Sequence, residues 1–276
     1  METQIAIKFV KDTFQKELVE KLNLLRVTAP LFVLSSTGLN DNLSGKEKPV
    51  GFKVNDIDQE VEIVHSLAKW KRMALGKYGF KENTGLYTDM KAIRKDEEVD
   101  DIHSLYVEQW DWEKVIDKSD RTIDYLKDTV KAIYKSIRQT QVIMKQKYHF
   151  LTLKLPKTIH FITSQELEDL YPDKEPAERE QIIAKDKKAV FIIGIGDKLK
   201  SGIIHDKRSP DYDDWALDGD LLIYAKKLSK AIEISSMGIR VDEKALQYQL
   251  EKSKCMDRLE LPYHQKIMKK DSRINM

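Results

Sequence analysis

The chain has 276 residues, with 48 basic and 46 acidic side chains and one cysteine. That length allows one large domain or two small ones, and the near-balanced charge argues against a dedicated nucleic-acid-binding protein. Lone Cys255 rules out an internal disulfide and a thiolate metal cage, and no apolar run approaches a membrane span.

The N-terminal stretch METQIAIKFVKDTFQKELVEKLNLL is charged throughout and has no signal-peptide core, so a cytoplasmic protein is expected. Within it, Ile5, Phe9, Phe14, Leu18 and Leu22 lie near helical spacing and predict an amphipathic helix over 4–24. RVTAPLFVL (26–34) is strand-like, bent or at an edge because of Pro30. A long polar loop, 35–49, follows, of the kind that is often functional. VGFKV and EVEIV predict paired strands, and SLAKWKRMALGKY (66–78) predicts a helix capped by Ser66. Lys69, Lys71 and Arg72 read as the solvated face of that helix.

GLYTDMKAIR (85–94) and HSLYVEQWDWE (103–113) predict two more strands. The stripe Ile123, Leu126, Val130, Ile133 and Ile137 predicts a helix from about 120 to 147, packed across a sheet rather than in a coiled coil. Strands are predicted at 158–163, 189–195, 220–225 and 230–235. Helices are predicted at 164–171, 176–187, 242–254 and 257–269. Strands follow one another without regular helical alternation, so the fold class is α+β with a largely antiparallel sheet flanked by helices, in one domain over 1–276.

FIIGIGDKL (191–199) lacks the third glycine and following helix of a dinucleotide fingerprint, and reads as a strand ending in a turn. Gln109 and Asp111 are two apart and share one strand face, with Trp110 and Trp112 on the other. This suggests a strand lying between a core and a polar cleft. RSPDYDDWALDGD (208–220) reads either as a solvated loop or as carboxylates gathered for a cation or amine. In AIEISSMGIRVD (231–242), Glu233 and Ser235 would share a face. Ser236 and Gly238 would open a turn, and Arg240 offers a fork for a carboxylate or phosphate. That combination suggests magnesium–nucleotide chemistry on an amino-acid-like substrate.

DNLSG (41–45), VHSLAKWKR (64–72), GLYTDMKAIR (85–94), YVEQWDWE (106–113), SPDYDDW (209–215), ISSMGIRVD (234–242) and DRLELPYHQ (257–265) closely resemble, in order, the ammonia-dependent asparagine synthetase A (aspartate–ammonia ligase) family. The family's catalytic core is similar to that of class II aminoacyl-tRNA synthetases. The resemblance implies ATP-dependent amidation of L-aspartate with ammonia through a β-aspartyl-adenylate, releasing AMP and pyrophosphate. It implies ATP and Mg²⁺ in the site and, with the stripe at 123–137, a homodimer, while the charge balance and the lack of a long apolar run argue against nucleic acid and membrane as partners.

By the same resemblance, Arg94 meets the α-phosphate, Gln109 orients the reacting carboxylate, and Lys71 and Arg240 hold the aspartate carboxylates. Asp41 and Asp213 serve its ammonium group or the incoming ammonia. Asp220 and Glu233 carry Mg²⁺. Ser235, Ser236 and Met237 line the pocket. Ser66, Asp111 and Tyr212 belong to the substrate site, and His65 to the nucleotide site. The sequence departs from the family in a shorter segment between Trp215 and Leu217. It also ends at HQKIMKKDSRINM without the family's glycine-rich GGGIGQSR-type segment, so a chain truncated at its C-terminus is expected. Three functions are weighed: a working ligase, an impaired relative that binds aspartate, asparagine or nucleotide without turnover, and a synthetase-like fragment serving tRNA, against which the near-neutral charge counts.

Overall fold

A computed structural model describes residues 1–41, 43, 47–152 and 154–269. Asn42, Ser44 and Gly45 of the DNLSG match, and the tail from Lys270 with its Ser272–Arg273 pair, lie outside the described residues. The elements run in the order α1 (Glu2–Leu22), β1 (Leu24–Arg26), β2 (Phe32–Leu34), β3 (Gly51–Val54), β4 (Gln59–Ile63), α2 (Ala68–Lys77), β5 (Gly85–Ile93) and β6 (Tyr106–Lys114). Then come α3 (Ile123–Lys147), β7 (His160–Thr163), α4 (Ser164–Leu170), α5 (Pro176–Lys187), β8 (Ala189–Ile193), β9 (Asp213–Ala225), β10 (Lys230–Arg240), α6 (Glu243–Lys252) and α7 (Pro262–Met268).

Three sheets result, ordered β1-β5-β6, β10-β9-β8-β7 and β2-β4-β3. Among the described residues only β1–β5 and β7–β8 pair in parallel, and α4 and α5 make the crossover between the latter two strands. The α+β, largely antiparallel class is therefore observed. No helix among the described residues is long and apolar enough to cross a membrane.

The α3 stripe explains the main core. Thr122 caps α3 by accepting from Tyr125 N, and Leu126, Val130 and Ile133 bury their side chains. They pack with Leu18 and Leu22 of α1 and with Phe191, Leu221, Met237 and Ile239 of the sheet. Each fully buried Leu or Ile contributes about 2 kcal/mol. The opposite sheet face meets two smaller clusters. Leu67, Trp70 and Leu75 of the α2 region cover Leu86, Met90 and Ala92, while Leu167 and Ile183 cover Val190, Ile192 and Leu222.

Four expectations change. The strand at 26–34 splits into β1 and β2, since Pro30 has no N–H for a ladder. The helix at 257–269 becomes a 3₁₀ turn, Met256–Glu260, and α7, because Leu261 before Pro262 takes an extended conformation, ψ 142°. The solvated-loop reading of 208–220 fails from Asp213 onward, where β9 begins. The turn expected at Ser236 and Gly238 is absent, as β10 continues to Arg240 with two register shifts.

Candidate active site

The first turn of α2 lies inside the protein, so the solvated-face reading of its cations is overturned. Lys69, Lys71 and Arg72 are only 2%, 3% and 5% exposed. Buried cations need partners. Lys69 Nζ lies 2.8 Å from Asp211 and donates to the Asn40 carbonyl at 3.1 Å. Lys71 is ion-paired with Asp111 and donates to the Trp112 carbonyl at 2.9 Å. Arg72 Nη1 donates to the Val241 carbonyl, also at 2.9 Å. Ser66 Oγ accepts from Ala68 N at 3.2 Å, one residue ahead of the N-cap position at Leu67.

Strand alternation places Gln109, Asp111 and Glu113 on one face of β6, opposite Met90, Thr88 and Leu86 of β5. Trp110 and Trp112 pack on the main core behind them, as the sequence suggested. Gln109 is exposed, whereas Glu113 is fully buried. Arg240 grips Glu113 with Nη2 at 2.7 Å and Nε at 3.1 Å, and its Nη1 reaches Asp213 at 2.5 Å. The two carboxylates raise the Arg240 pKa well above its usual range although burial opposes this, and burial raises Asp213 despite Arg240. The Tyr212 ring stands 5.5 Å from the same guanidinium, and burial lifts its hydroxyl pKa well above 10.

The polar loop brings a second group alongside. Asn40 ties the loop to the end of β4: its Nδ2 donates to the Ile63 carbonyl at 3.2 Å, and its Oδ1 accepts from His65 N at 2.9 Å. Asp41 Oδ1 accepts from Leu43 N at 3.1 Å, and Oδ2 is buried without a partner among the described residues. Burial raises the Asp41 pKa, with Lys69 opposing. His65 Nδ1 lies 3.2 Å from the Asp41 carbonyl, which can only accept, so Nε2 carries the free lone pair. Burial lowers the His65 pKa and keeps the ring neutral. Arg94, directly after β5, is near enough for its charge to act on both, and its Nε is buried without a described partner.

A third group forms where β9 meets β10. A bulge makes Glu233 face Leu222 while Ser236 faces Asp220. Ser236, not Ser235, therefore joins Asp220 and Glu233, lying directly across the ladder from Asp220. Ser235 instead lies opposite Leu221, and Met237 is buried in the main core. Both side chains are on the far face of the sheet from the carboxylates, which corrects their expected place in the pocket. Asp220 is buried with Oδ1 unpartnered among the described residues, and its charge pushes Glu233, whose own side chain is exposed, up to about 8.

Gly238 is required here by proximity. A Cβ at that position would stand 2.7 Å from Asp218 Cβ and 3.0 Å from Asp213 Cγ. Asp218 is buried, accepts from Ile195 N at 2.8 Å and is held well above the usual carboxylate range by burial.

The three groups form one electrostatic unit. Tyr212 feels Asp41, Asp213, Arg208 and Arg240, and Asp218 feels Asp213, Arg208 and Asp220. Such a face supplies cations for anionic ligands and, among the described residues, unpartnered carboxylate oxygens for an amine or hard cation. Among the described residues no three His, Cys, Asp or Glu side chains cage a metal.

Several members are not singled out by the sequence: Asn40, Glu113, Arg208, Asp211, Asp218 and His264. Asp211 is fully buried and central, meeting Lys69, His264 Nε2 at 3.0 Å, Arg258 at 3.2 Å and Ser209 Oγ at 2.6 Å. Period-two continuation from Gln109 and Asp111 was the available signal for Glu113.

A family model described as aspartate–ammonia ligase matches residues 1–276. Relatives named aspartate–ammonia ligase include one from Clostridium perfringens, 56% identical over 268 residues, covering 97% of this chain and 80% of the relative. Another, from Ruminiclostridium cellulolyticum, is 56% identical over 270 residues, covering 98% and 80%. Among solved structures, asparaginyl-tRNA synthetase from Pyrococcus horikoshii, complexed with asparaginyl-adenylate, matches with a TM-score of 0.68 at 16% identity, over 98% of this chain and 62% of that one. The Entamoeba histolytica enzyme, also with asparaginyl-adenylate, matches with a TM-score of 0.62 at 10% identity, over 99% and 60%. These two structures share the fold, an aminoacyl-tRNA synthetase core.

Proposed function

The chain belongs to the aspartate–ammonia ligase family, a family of enzymes that make asparagine from aspartate and ammonia, and we propose that it does so through a β-aspartyl-adenylate. The observation that carries this reading is the continuous charged face from Lys71 and Asp111 through Glu113, Arg240 and Asp213 to Asp220 and Glu233.

In the first step an oxygen of the aspartate side-chain carboxylate attacks the α-phosphorus of ATP. The bond to pyrophosphate breaks, and Arg94 neutralises charge on the α-phosphate. Gln109 orients the attacking carboxylate. Lys71 and Arg240 hold the substrate's carboxylates while sharing their donors with Asp111, Glu113 and Asp213. Tyr212, Ser66 and Asp111 shape the amino-acid site, and His65 offers its Nε2 lone pair to the nucleotide. In the second step the nitrogen of ammonia attacks the carbonyl carbon of the mixed anhydride, the carbon–oxygen bond to AMP breaks, and the nitrogen gives up one proton to the departing phosphate or to water. Ammonium must first lose a proton. Asp41, with a raised pKa and an Oδ2 unpartnered among the described residues, is suited to accept it, with Asp213 beside the substrate ammonium.

Asp220 and Glu233 fit Mg²⁺, which takes one or two protein carboxylates and completes its shell with phosphate oxygens and water. When bound, the ion would offset charge on the polyphosphate. The homodimer reading is supported by exposed Ile5, Ile7 and Leu25 on α1 and β1. The test is pyrophosphate release by the 276-residue chain with Mg-ATP and aspartate, with and without ammonium. The expected result is aspartate-dependent release, with asparagine and AMP formed when ammonium is added. A folded chain that binds aspartate or ATP without release would instead support the impaired-relative reading.

A further inference from the structure

Arg208 lies in the segment leading into β9, and its guanidinium is turned onto acidic groups. Nη1 donates to Asp206 at 2.8 Å, and Nη2 is ion-paired with Asp220. Nε is buried without a partner among the described residues. Asp218 and Glu233 also lie within range of its charge. One guanidinium thus contacts two carboxylates, Asp206 and Asp220, and acts through its charge on two more, Asp218 and Glu233. On Asp220 it occupies Oδ2, while Oδ1 has no partner among the described residues.

A divalent cation on Asp220 and Glu233 would meet this guanidinium at close range. Two positive charges on one buried carboxylate repel strongly, so each weakens the other's hold on it. We propose that Arg208 is the displaceable counter-cation of the Asp220–Glu233 pair. It neutralises Asp220 in the cation-free protein and is released when a divalent cation binds. The inference rests on the reading of Asp220 and Glu233 as the magnesium carboxylates. Once released, the planar fork with its free Nε–H is available to phosphate oxygens arriving with the cation.

The test measures Mn²⁺ binding to the full chain without nucleotide by electron paramagnetic resonance, for the unaltered protein, Arg208→Met and Arg208→Met/Asp220→Asn. Arg208→Met is expected to bind Mn²⁺ at least about tenfold more tightly, with the gain abolished by Asp220→Asn. A Mg²⁺ titration of the unaltered chain, followed by the Arg208 Nε–H resonance (identified by its loss in Arg208→Lys), reports on the guanidinium directly and does not depend on Arg208→Met folding. The resonance should shift in step with occupancy. Metal binding that leaves it unmoved, or equal Mn²⁺ affinity in the unaltered protein and Arg208→Met, overturns the counter-cation role and leaves the metal carboxylates standing. Absence of binding in every folded variant overturns both.

Discussion

Arg240 of β10 reaches Glu113 of β6 through two roughly parallel hydrogen bonds, 2.7 Å and 3.1 Å long, and so joins strands that belong to different sheets. A fork on a carboxylate fixes orientation as well as distance, and neither side chain is open to water. Arg240→Met should destabilise the fold by about 3–5 kcal/mol, because it leaves Glu113 buried with its main cation gone. The double variant with Glu113→Gln should cost less than the sum of the two single changes, with a coupling of about 0.5–3 kcal/mol in urea unfolding. Strictly additive costs would show that the contact does not link the sheets energetically.

Gly238→Ala tests whether the carboxylates need close backbone approach. The added methyl falls 2.7 Å from Asp218 Cβ and 3.0 Å from Asp213 Cγ, and both atoms sit on strand residues with little freedom to move. Overpacking of this kind costs about 1–3 kcal/mol. Asp213 should also lose register with Arg240, so asparagine formation is expected to fall more than stability. A variant with unchanged turnover would mean that the Asp213–Asp218 spacing is not critical.

The elements were more legible in the sequence than the site. Period two along EQWDW gave the right face to Gln109 and Asp111, and steps of three and four gave the buried side of α3, because both signals are local. The cations of α2 were misread because their partners are distant in sequence: Asp111 for Lys71, Asp211 for Lys69 and the Val241 carbonyl for Arg72. Local pattern treats a charge as solvated unless a partner is visible nearby. The bulge beside Ile234 was invisible for another reason. Neither Gly nor Pro marks it, yet one extra residue moves Ser235 off the carboxylate face and brings Ser236 onto it.

Arg94 offers a kinetic prediction. Its Nε lacks a described partner, which leaves part of the guanidinium available to an anion. If it neutralises the α-phosphate, Arg94→Ala should slow pyrophosphate release about 100- to 1,000-fold at saturating aspartate, with little change in aspartate KM. Arg94→Lys keeps the charge without the fork and should recover only part of the rate. A rise in aspartate KM alone would place Arg94 in amino-acid binding instead.

The buried Asp211 predicts a pH-dependent stability. Burial alone would raise its pKa, but Lys69, the His264 hydrogen bond and Arg258 outweigh that and hold it well below 3.8. A carboxylate depressed on folding adds stability that is fully present above its unfolded pKa and is lost as pH falls through the folded value. Asp211→Asn should therefore be about 3–5 kcal/mol less stable than the unaltered protein near neutral pH, where it strands Lys69. That gap should hold down to roughly pH 4 and narrow below it, as the unaltered chain protonates its own carboxylate. Urea unfolding of both chains through this range reads the difference directly, and other acid-titrating groups largely cancel in it. A gap that stays constant into the acid would mean that packing, not charge, makes Asp211 important.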